Sequence, residues 1–165
     1  MNDSKYKGQR AISYLRASAG KGRGQDDSTD RQGDLAVDYC NRKQMVLDTS
    51  FSLVDEGVSA YRRVKVTHTD GSAEYVAKNL AKGGLAEFYR LAQEGAFPNG
   101  VNLVVEKLDR VYRDKPTDAL RHFLNLLAEG VTIHTVMDDY IYDPNSDNDQ
   151  ELLLISVVRL CASHE

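Results

Sequence analysis

A short apolar run, Val101-Asn102-Leu103-Val104-Val105, constrains the fold of this chain more than any other feature of its sequence. Its residues are almost all large and aliphatic, so neither face of a strand formed here is suited to water. Strands of this kind lie at the centre of parallel sheets, where helices cover both faces. We therefore expect other segments to supply parallel neighbours for this strand and helices to cover it.

Strand and helix signals alternate on both sides of the apolar run. Strands are predicted at about 10–17, 51–54 and 131–136, and helices at about 29–42, 85–94 and 116–129. Thr29 and Gln32 have the spacing of a capping box, and Gly95 and Gly130 follow the second and third helices. This alternation predicts an α/β fold with a mostly parallel central sheet of four to five strands and helices on both faces.

Helical spacing also indicates which side chains of the second and third helices face the core. The predicted inward residues are Leu85, Phe88, Leu91 and Ala92 in the second helix and Leu120, Phe123, Leu124 and Leu127 in the third. Residues 60–84, by contrast, show weak periodicity and end in a glycine pair, so we expect a long mobile loop there.

The 165 residues are predicted to form one domain, 10–147, with an extension at each end. Residues 1–9 are polar and are expected to be a disordered lead-in. Residues 148–165 are expected to form a helix whose apolar residues surround it almost completely, which indicates packing against a second copy of the chain. This helix reaches the last residue without a helix breaker, so we expect it to continue in a longer protein.

Composition argues against a membrane protein, a secreted protein and a metalloprotein. No apolar run is long enough for a transmembrane helix, and the polar N-terminus lacks the apolar centre of a signal peptide, so we expect a cytoplasmic protein. Cys40 and Cys161 do not have metal-binding spacing and are expected to be buried thiols. We expect no metal site, because no His, Cys, Asp and Glu cluster has the spacing of metal ligands.

The charges are distributed unevenly although the net charge is −4. Residues 1–31 carry a net +3 (seven Lys/Arg against four Asp), and residues 107–121 carry a net +2. Residues 137–151 carry six Asp/Glu and no Lys/Arg. A surface for duplex DNA requires the two positive segments to converge and the acidic segment to face elsewhere.

Three segments place polar residues just beyond predicted strands: Ser18, residues 55–59 and residues 109–113. Sites in open parallel sheets form beyond the carboxyl ends of the strands, so we expect these segments to meet at one edge. Strand alternation also puts Arg16 on the same face of the first strand as Tyr14 and Ser18.

The candidate site is rich in arginine and has a serine at the end of a predicted strand, but no histidine is near it in sequence. The candidate catalytic residues are Ser18, Arg16, Asp109, Arg110 and Arg113, and the candidate supporting residues are Tyr14, Gln32, Lys82, Asp55 and Ser59. Guanidinium groups bind two phosphate oxygens at once and keep their charge at any working pH. The set therefore favours phosphoryl transfer over acyl transfer, which commonly uses a serine–histidine pair.

A series of motifs, in their order along the chain, resembles the catalytic domain of the serine recombinases, the resolvase/invertase family that includes the large phage integrases. The motifs are Tyr14-x-Arg16-x-Ser18, Ser28-x-x-x-Gln32, Asp55-x-Gly57-x-Ser59, Lys82-Gly83-Gly84-Leu85 and Glu106-Lys107-Leu108-Asp109-Arg110-x-x-Arg113. The resemblance covers about residues 10–165 and includes the last helix, which is similar to the start of the family's long dimer helix.

The resemblance implies a site-specific DNA recombinase. Ser18 would attack a DNA phosphodiester and form a 5′-phosphoserine link, while Arg16, Arg110 and Arg113 hold the phosphate. Asp109 would orient the arginines or help to protonate the leaving 3′ oxygen. Gln32 would contact the phosphate region and Tyr14 would support the site.

The same resemblance implies the partners and the cofactor requirement. DNA would be the substrate, and dimers and tetramers would form through the C-terminal helix. No metal, nucleotide or small-molecule substrate would be needed, since the phosphoserine ester conserves the energy of the DNA bond. Lys82 stands where the family often has Arg, and a lysine lacks the guanidinium fork.

Two other functions are compatible with the residues alone. One is a non-catalytic α/β module that binds a phosphate or nucleotide and regulates a partner. The other is a metal-dependent nuclease, whose activity would be abolished by EDTA. A covalent protein–DNA adduct would distinguish the recombinase from both.

Overall fold

The structure of the chain is a computed structural model that describes residues 5–17, 25–49, 53–56, 63–67, 69–77, 84–108 and 116–145. The helices in these ranges are α1 (Gln25–Lys43), α2 (Gly84–Gln93) and α3 (Pro116–Ala128). The strands are β1 (Arg10–Ala17), β2 (Val46–Leu47), β3 (Leu53–Glu56), β4 (Arg63–Thr67), β5 (Ala73–Ala77), β6 (Val101–Val105), β7 (Val131–Thr135) and β8 (Tyr140–Tyr142). Every residue of β6 is buried, as its apolar sequence predicts.

The main sheet is mostly parallel and has β6 at its centre. Its path runs β2-β1-β6-β7-β8, and β3 also pairs with β1. Strand β1 is parallel to β2, β3 and β6, and β6 is parallel to β7, whereas β8 is antiparallel to β7. Ile12 is the partner of Leu103, and Leu103 is the partner of Ile133. The predicted fold class is confirmed, while the predicted helix at 148–165 lies outside the described residues.

Helices cover both faces of the sheet, and each face has its own apolar cluster. Strand alternation sends Ile12, Tyr14 and Leu103 into the larger cluster, which contains the buried residues of α2 and α3. Ala11 and Val104 belong to the smaller cluster on the other face, together with residues of α1. Burial of apolar area on both faces stabilises the fold, at roughly 25 cal/mol for each Å² removed from water.

The inward faces of α2 and α3 follow the prediction with one exception. Leu85, Phe88 and Ala92 of α2 are buried, and Leu91 packs against the larger cluster. In α3 the prediction holds for the buried Phe123 and Leu127, but it is wrong for Leu124, which is 37% exposed. Leu126, at 2% exposure, takes the inward position instead, because the sheet lies against a face rotated from the predicted one. The side chain of Leu120, which was also predicted to face inward, lies outside the described part of the chain.

Two element boundaries differ from the prediction. Helix α1 begins at Gln25, so Thr29 and Gln32 lie inside the helix and do not form the predicted cap. Strand β3 ends at Glu56 rather than at the predicted residue 54, because its ladder with β1 extends to the end of β1, and residues 51 and 52 lie outside the described residues. The short β2 was not predicted.

The prediction of a long loop at 60–84 is wrong for most of the residues described there, which form two strands. Strands β4 and β5 form an antiparallel hairpin in which Lys65 is the partner of Tyr75. Asp70 Oδ1 accepts hydrogen bonds from the Ser72 backbone N–H at 2.8 Å and from its hydroxyl at 2.6 Å. Gly71 has a φ of +86°, a conformation that glycine adopts without a steric penalty. The Asp70-Gly71 pair is a recognised hairpin signal that the periodicity argument overlooked.

Residues 5–9, expected within a disordered lead-in, are packed against the domain. Tyr6 is 7% exposed, and its hydroxyl donates a 2.9 Å hydrogen bond to Asp143 Oδ2. Lys5 Nζ lies 2.6 Å from the same oxygen. Burial opposes ionisation of Asp143, but hydrogen bonds from Lys5, the Asn145 N–H and Tyr6 outweigh it and lower the pKa of the carboxyl. This part of the chain is therefore tied to the segment after β8, and residues 1–4 lie outside the described residues.

Candidate active site

The carboxyl ends of β1, β3 and β6 lie at one edge of the sheet. Strand β1 is parallel to both neighbours, with Ser13 the partner of Val104 and Ala17 the partner of Glu56. Ser18 follows Ala17 directly in the chain, and Asp109 follows Leu108, the last described residue after β6. The described strands that precede the candidate catalytic residues in sequence therefore end at the same edge of the sheet.

The candidate residues differ in how far the structure describes them. Ser18, Ser59, Lys82, Asp109, Arg110 and Arg113 lie outside the described residues. Arg16 and Asp55 are described as backbone positions only, and they are direct partners in the β1–β3 ladder. Tyr14 and Gln32 are described with their side chains.

Tyr14 is a core residue as well as a candidate site residue. It is 1% exposed and belongs to the cluster that contains Leu85 and Phe88 of α2. The next residue, Leu15, faces α1, since a Cβ built on Gly33 would lie 3.9 Å from Leu15 Cδ1. The predicted alternation of β1 is confirmed for these residues, and Tyr14 packs β1 against α2 just before the strand ends.

Gln32 is buried on α1, at 3% exposure, and its neighbour Arg31 connects that helix to the end of β6. Arg31 Nη2 donates a 2.9 Å hydrogen bond to Glu106 Oε1, which also forms an ion pair. The Glu106 side chain is 4% exposed and the Arg31 side chain is 51% exposed. A buried carboxylate is thus held by a half-exposed guanidinium at the edge where the candidate segments begin.

The sequence argument did not include Arg31 or Glu106 among the site residues. Glu106 stands between the buried Val105 and Leu108, and an acidic residue inside an apolar stretch was a detectable signal. Arg31 gave no such signal, because an arginine on a helix is ordinarily solvated.

Metal and membrane features can be assessed only in the described part of the chain. No His, Cys, Asp and Glu group there has an arrangement that could hold a metal ion. Of the helices in the described ranges, none has the length and apolarity to cross a membrane.

Comparison with known families gives a match over most of the chain. The family described as "Resolvase, N terminal domain" matches residues 11–165. The chain belongs to the resolvase family. This resolvase domain accordingly has the fold of the serine recombinases, with the Tyr14-x-Arg16-x-Ser18 motif at the end of its first strand.

Two solved structures and one sequence relative are similar to this resolvase domain. The N-terminal catalytic domain of TP901-1 integrase has a TM-score of 0.56 at 17% identity, covering 91% of this chain and 92% of that one. A resolvase family site-specific recombinase from Streptococcus pneumoniae has a TM-score of 0.58 at 14% identity, covering 91% and 84%. These identities support the fold alone. "Uncharacterized protein YbcK" of Escherichia coli (strain K12) is 27% identical over 91% of this chain, which spans 27% of that protein's length.

Proposed function

We propose that this resolvase domain is the catalytic domain of a site-specific DNA recombinase that uses Ser18 as its nucleophile. The observation that carries the proposal is the parallel register of β3, β1 and β6, because the carboxyl ends of these strands lie at one edge and Ser18 and Asp109–Arg113 follow β1 and β6 in sequence. Membership of the resolvase family supports the assignment to recombination. A module that only binds phosphate has no need of a serine among several arginines.

The proposed chemistry is a phosphoryl transfer without a cofactor. Ser18 Oγ attacks the phosphorus, the bond to the 3′ oxygen breaks, and a 5′-phosphoserine and a 3′-hydroxyl result. Arg16, Arg110 and Arg113 neutralise the charge that develops on the phosphate oxygens. Asp109 orients these arginines or helps to protonate the leaving 3′ oxygen. Attack of a 3′-hydroxyl on the phosphoserine reverses the step and rejoins DNA.

The other predicted residues have supporting roles in this proposal. Gln32 and Lys82 contact the phosphate region, while Tyr14, Asp55 and Ser59 shape the ends of their strands. The protein acts on DNA as a dimer and then a tetramer, assembled through the helix predicted at 148–165. It works in the cytoplasm, where the DNA is located.

Covalent trapping tests the proposal. DNA duplexes with a randomised core and a sulfur in place of the bridging 3′ oxygen release a thiol on attack, so the adduct accumulates. The wild-type protein is expected to give a DNA-linked band on a denaturing gel, and EDTA is expected to leave that band unchanged. Mass spectrometry should locate the link on Ser18.

The matched control uses another serine of the same strand. Ser18→Ala is expected to abolish the adduct, whereas Ser13→Ala, at a position inside the β1–β6 ladder, should retain it. An adduct that persists in Ser18→Ala would exclude Ser18 as the nucleophile. DNA binding without any adduct would favour the phosphate-binding module, and loss of the adduct in EDTA would favour the nuclease.

A further inference from the structure

The Arg31–Glu106 contact joins two parts of the chain that are 75 residues apart in sequence. The Arg31 Nη2 to Glu106 Oε1 distance is 2.9 Å, within the range of a charge-assisted hydrogen bond. Because the Glu106 carboxylate is almost fully buried, water screens this attraction less than it screens a pair on the surface. The contact therefore links α1 to the end of β6.

Glu106 is also fixed through its backbone. The Val136 N–H donates to the Val105 carbonyl at 2.9 Å, and the Met137 N–H donates to the Glu106 carbonyl at 3.1 Å. The end of β6 is thus held to the residues after β7 by main-chain bonds, and to α1 by the Glu106 side chain. Val104 also packs with residues of α1 in the smaller cluster, and the ion pair adds a polar contact with α1 at the point where β6 ends.

Both ends of the pair adjoin segments of the proposed active site. In the sequence, Asp109 is three residues after Glu106, and Gln32 directly follows Arg31. Helix α1 is also the first described element after Ser18. A change in the spacing between α1 and the end of β6 would therefore shift the proposed arginines relative to the proposed serine.

We propose that the Arg31–Glu106 ion pair is a positioning device, which holds the end of β6, the strand that precedes Asp109–Arg113 in sequence, at a set distance from α1. This role rests on the proposed function, because the segment matters for catalysis only if Ser18 and the arginines act together. Reaction rates are sensitive to such placement, and an error of about 1 Å can cost about 100-fold. Neither residue of the pair needs to touch DNA.

A second ion pair in the chain provides a matched control. Arg90 bonds Glu87 at 2.5 Å and Glu94 at 2.6 Å within and just after α2, and all three side chains are more than half exposed. Exposed pairs of this kind contribute little to stability. Glu87→Gln therefore removes a carboxylate of similar geometry that is not located at the end of β6.

The experiment compares Glu106→Gln, Arg31→Gln, their double variant, Arg31→Lys and Glu87→Gln. Each protein is measured for the rate of adduct formation at saturating DNA, for DNA affinity, and for hydrogen exchange of peptides covering residues 107–113. Glu106→Gln preserves side-chain volume and removes the buried charge. Arg31→Gln leaves the buried Glu106 carboxylate without its guanidinium, which is costly, so the double variant, which removes both charges, takes its place if Arg31→Gln fails to fold.

Positioning predicts a specific pattern. Both Gln variants should form the adduct at least about tenfold more slowly, with DNA affinity changed less than about twofold. The double variant should be no slower than the slower single variant, since both lose the same contact. Arg31→Lys should recover part of the rate, and Glu87→Gln should match wild type.

Other patterns overturn the proposal. Additive losses in the double variant, or unchanged rates in both Gln variants, would show that the pair does not position the segment. If the adduct survives Ser18→Ala, the proposal that Ser18 is the nucleophile is wrong. Hydrogen exchange then tests the positioning role of the ion pair independently of that proposal. Faster exchange at 107–113 in both Gln variants but not in Glu87→Gln supports the link, and unchanged exchange refutes it.

Discussion

His134 Nε2 lies 2.8 Å from Asn102 Oδ1 across neighbouring strands of the sheet, and the imidazole is fully buried. The Asn102 amide group donates to Gln9 Oε1 and to the Arg10 carbonyl, so its oxygen faces His134. Nε2 must then carry the proton, and Nδ1 accepts a 2.9 Å hydrogen bond from the Tyr39 hydroxyl. The neutral ring satisfies both of its nitrogens, which is a structural role for this histidine.

This relationship predicts a loss of stability in mild acid. Burial, followed by the charge of Lys43, lowers the pKa of His134 from 6.5 to about 4. His134 therefore stays neutral in the native state, whereas in the unfolded chain it takes up a proton as the pH falls below 6.5. The contribution of His134 to the free energy of unfolding is complete above pH 6.5. It decreases by about 3 kcal/mol in total as the pH falls to 4. Urea unfolding at a series of pH values measures it.

His134→Gln is the control for this pH dependence. It is expected to be less stable at pH 7, but its stability should change less between pH 6.5 and pH 4, because the titrating group is absent. Asp143 has a lowered pKa and loses its contribution at more acidic pH, so its effect falls in a separate window. Equal slopes in wild type and His134→Gln would contradict the assignment to His134.

A second prediction concerns two glycines with the same backbone angle. Gly95 and Gly100 both have a φ of +79°, but only a Cβ at Gly100 would meet the Gly130 carbonyl oxygen, at 3.2 Å. Gly95→Ala should cost about 1–2 kcal/mol for the left-handed conformation alone. Gly100→Ala should cost at least about 1 kcal/mol more, because the backbone at Gly130 must move. Thermal unfolding of both variants provides the comparison, and equal losses would show that the contact is not significant.

A third prediction tests the packing of α3. Leu126 is 2% exposed in the larger cluster, whereas Leu124 is 37% exposed. Leu126→Ala should lower the free energy of unfolding by about 2–4 kcal/mol, and Leu124→Ala by less than about 1 kcal/mol. Chemical denaturation of the two variants distinguishes them. A larger loss for Leu124→Ala would restore the orientation that the helical spacing alone predicts.

The accuracy of the sequence predictions depended on whether a local pattern coincided with a tertiary contact. The bounds of β1 and the burial of β6 were predicted correctly, since their apolar residues meet helices on both faces. The β4–β5 hairpin was missed because its strands mix basic and apolar residues, although Asp70-Gly71 marked the turn. The inward face of α3 was predicted to include Leu124, whereas the face that packs on the sheet includes Leu126 instead. The spacing of the leucines is compatible with both of these neighbouring helix faces.

The candidate site was predictable in part. The alternation of elements indicates a parallel sheet, so the chain alone predicts that the ends of β1 and β6, which precede Ser18 and Asp109 in sequence, lie at one edge. The Arg31–Glu106 pair could not be inferred, because it joins positions 75 residues apart whose approach depends on how α1 lies on the sheet.

The sequence by itself determined the type of fold, the central strand and the family, because periodicity and short motifs are local properties. Only the tertiary structure decided that Leu126 rather than Leu124 faces the core, that Tyr6 is tied to Asp143, and that Arg31 reaches Glu106. These contacts depend on the distances between elements far apart in the chain, which are set by the packing of helices on both faces of the sheet.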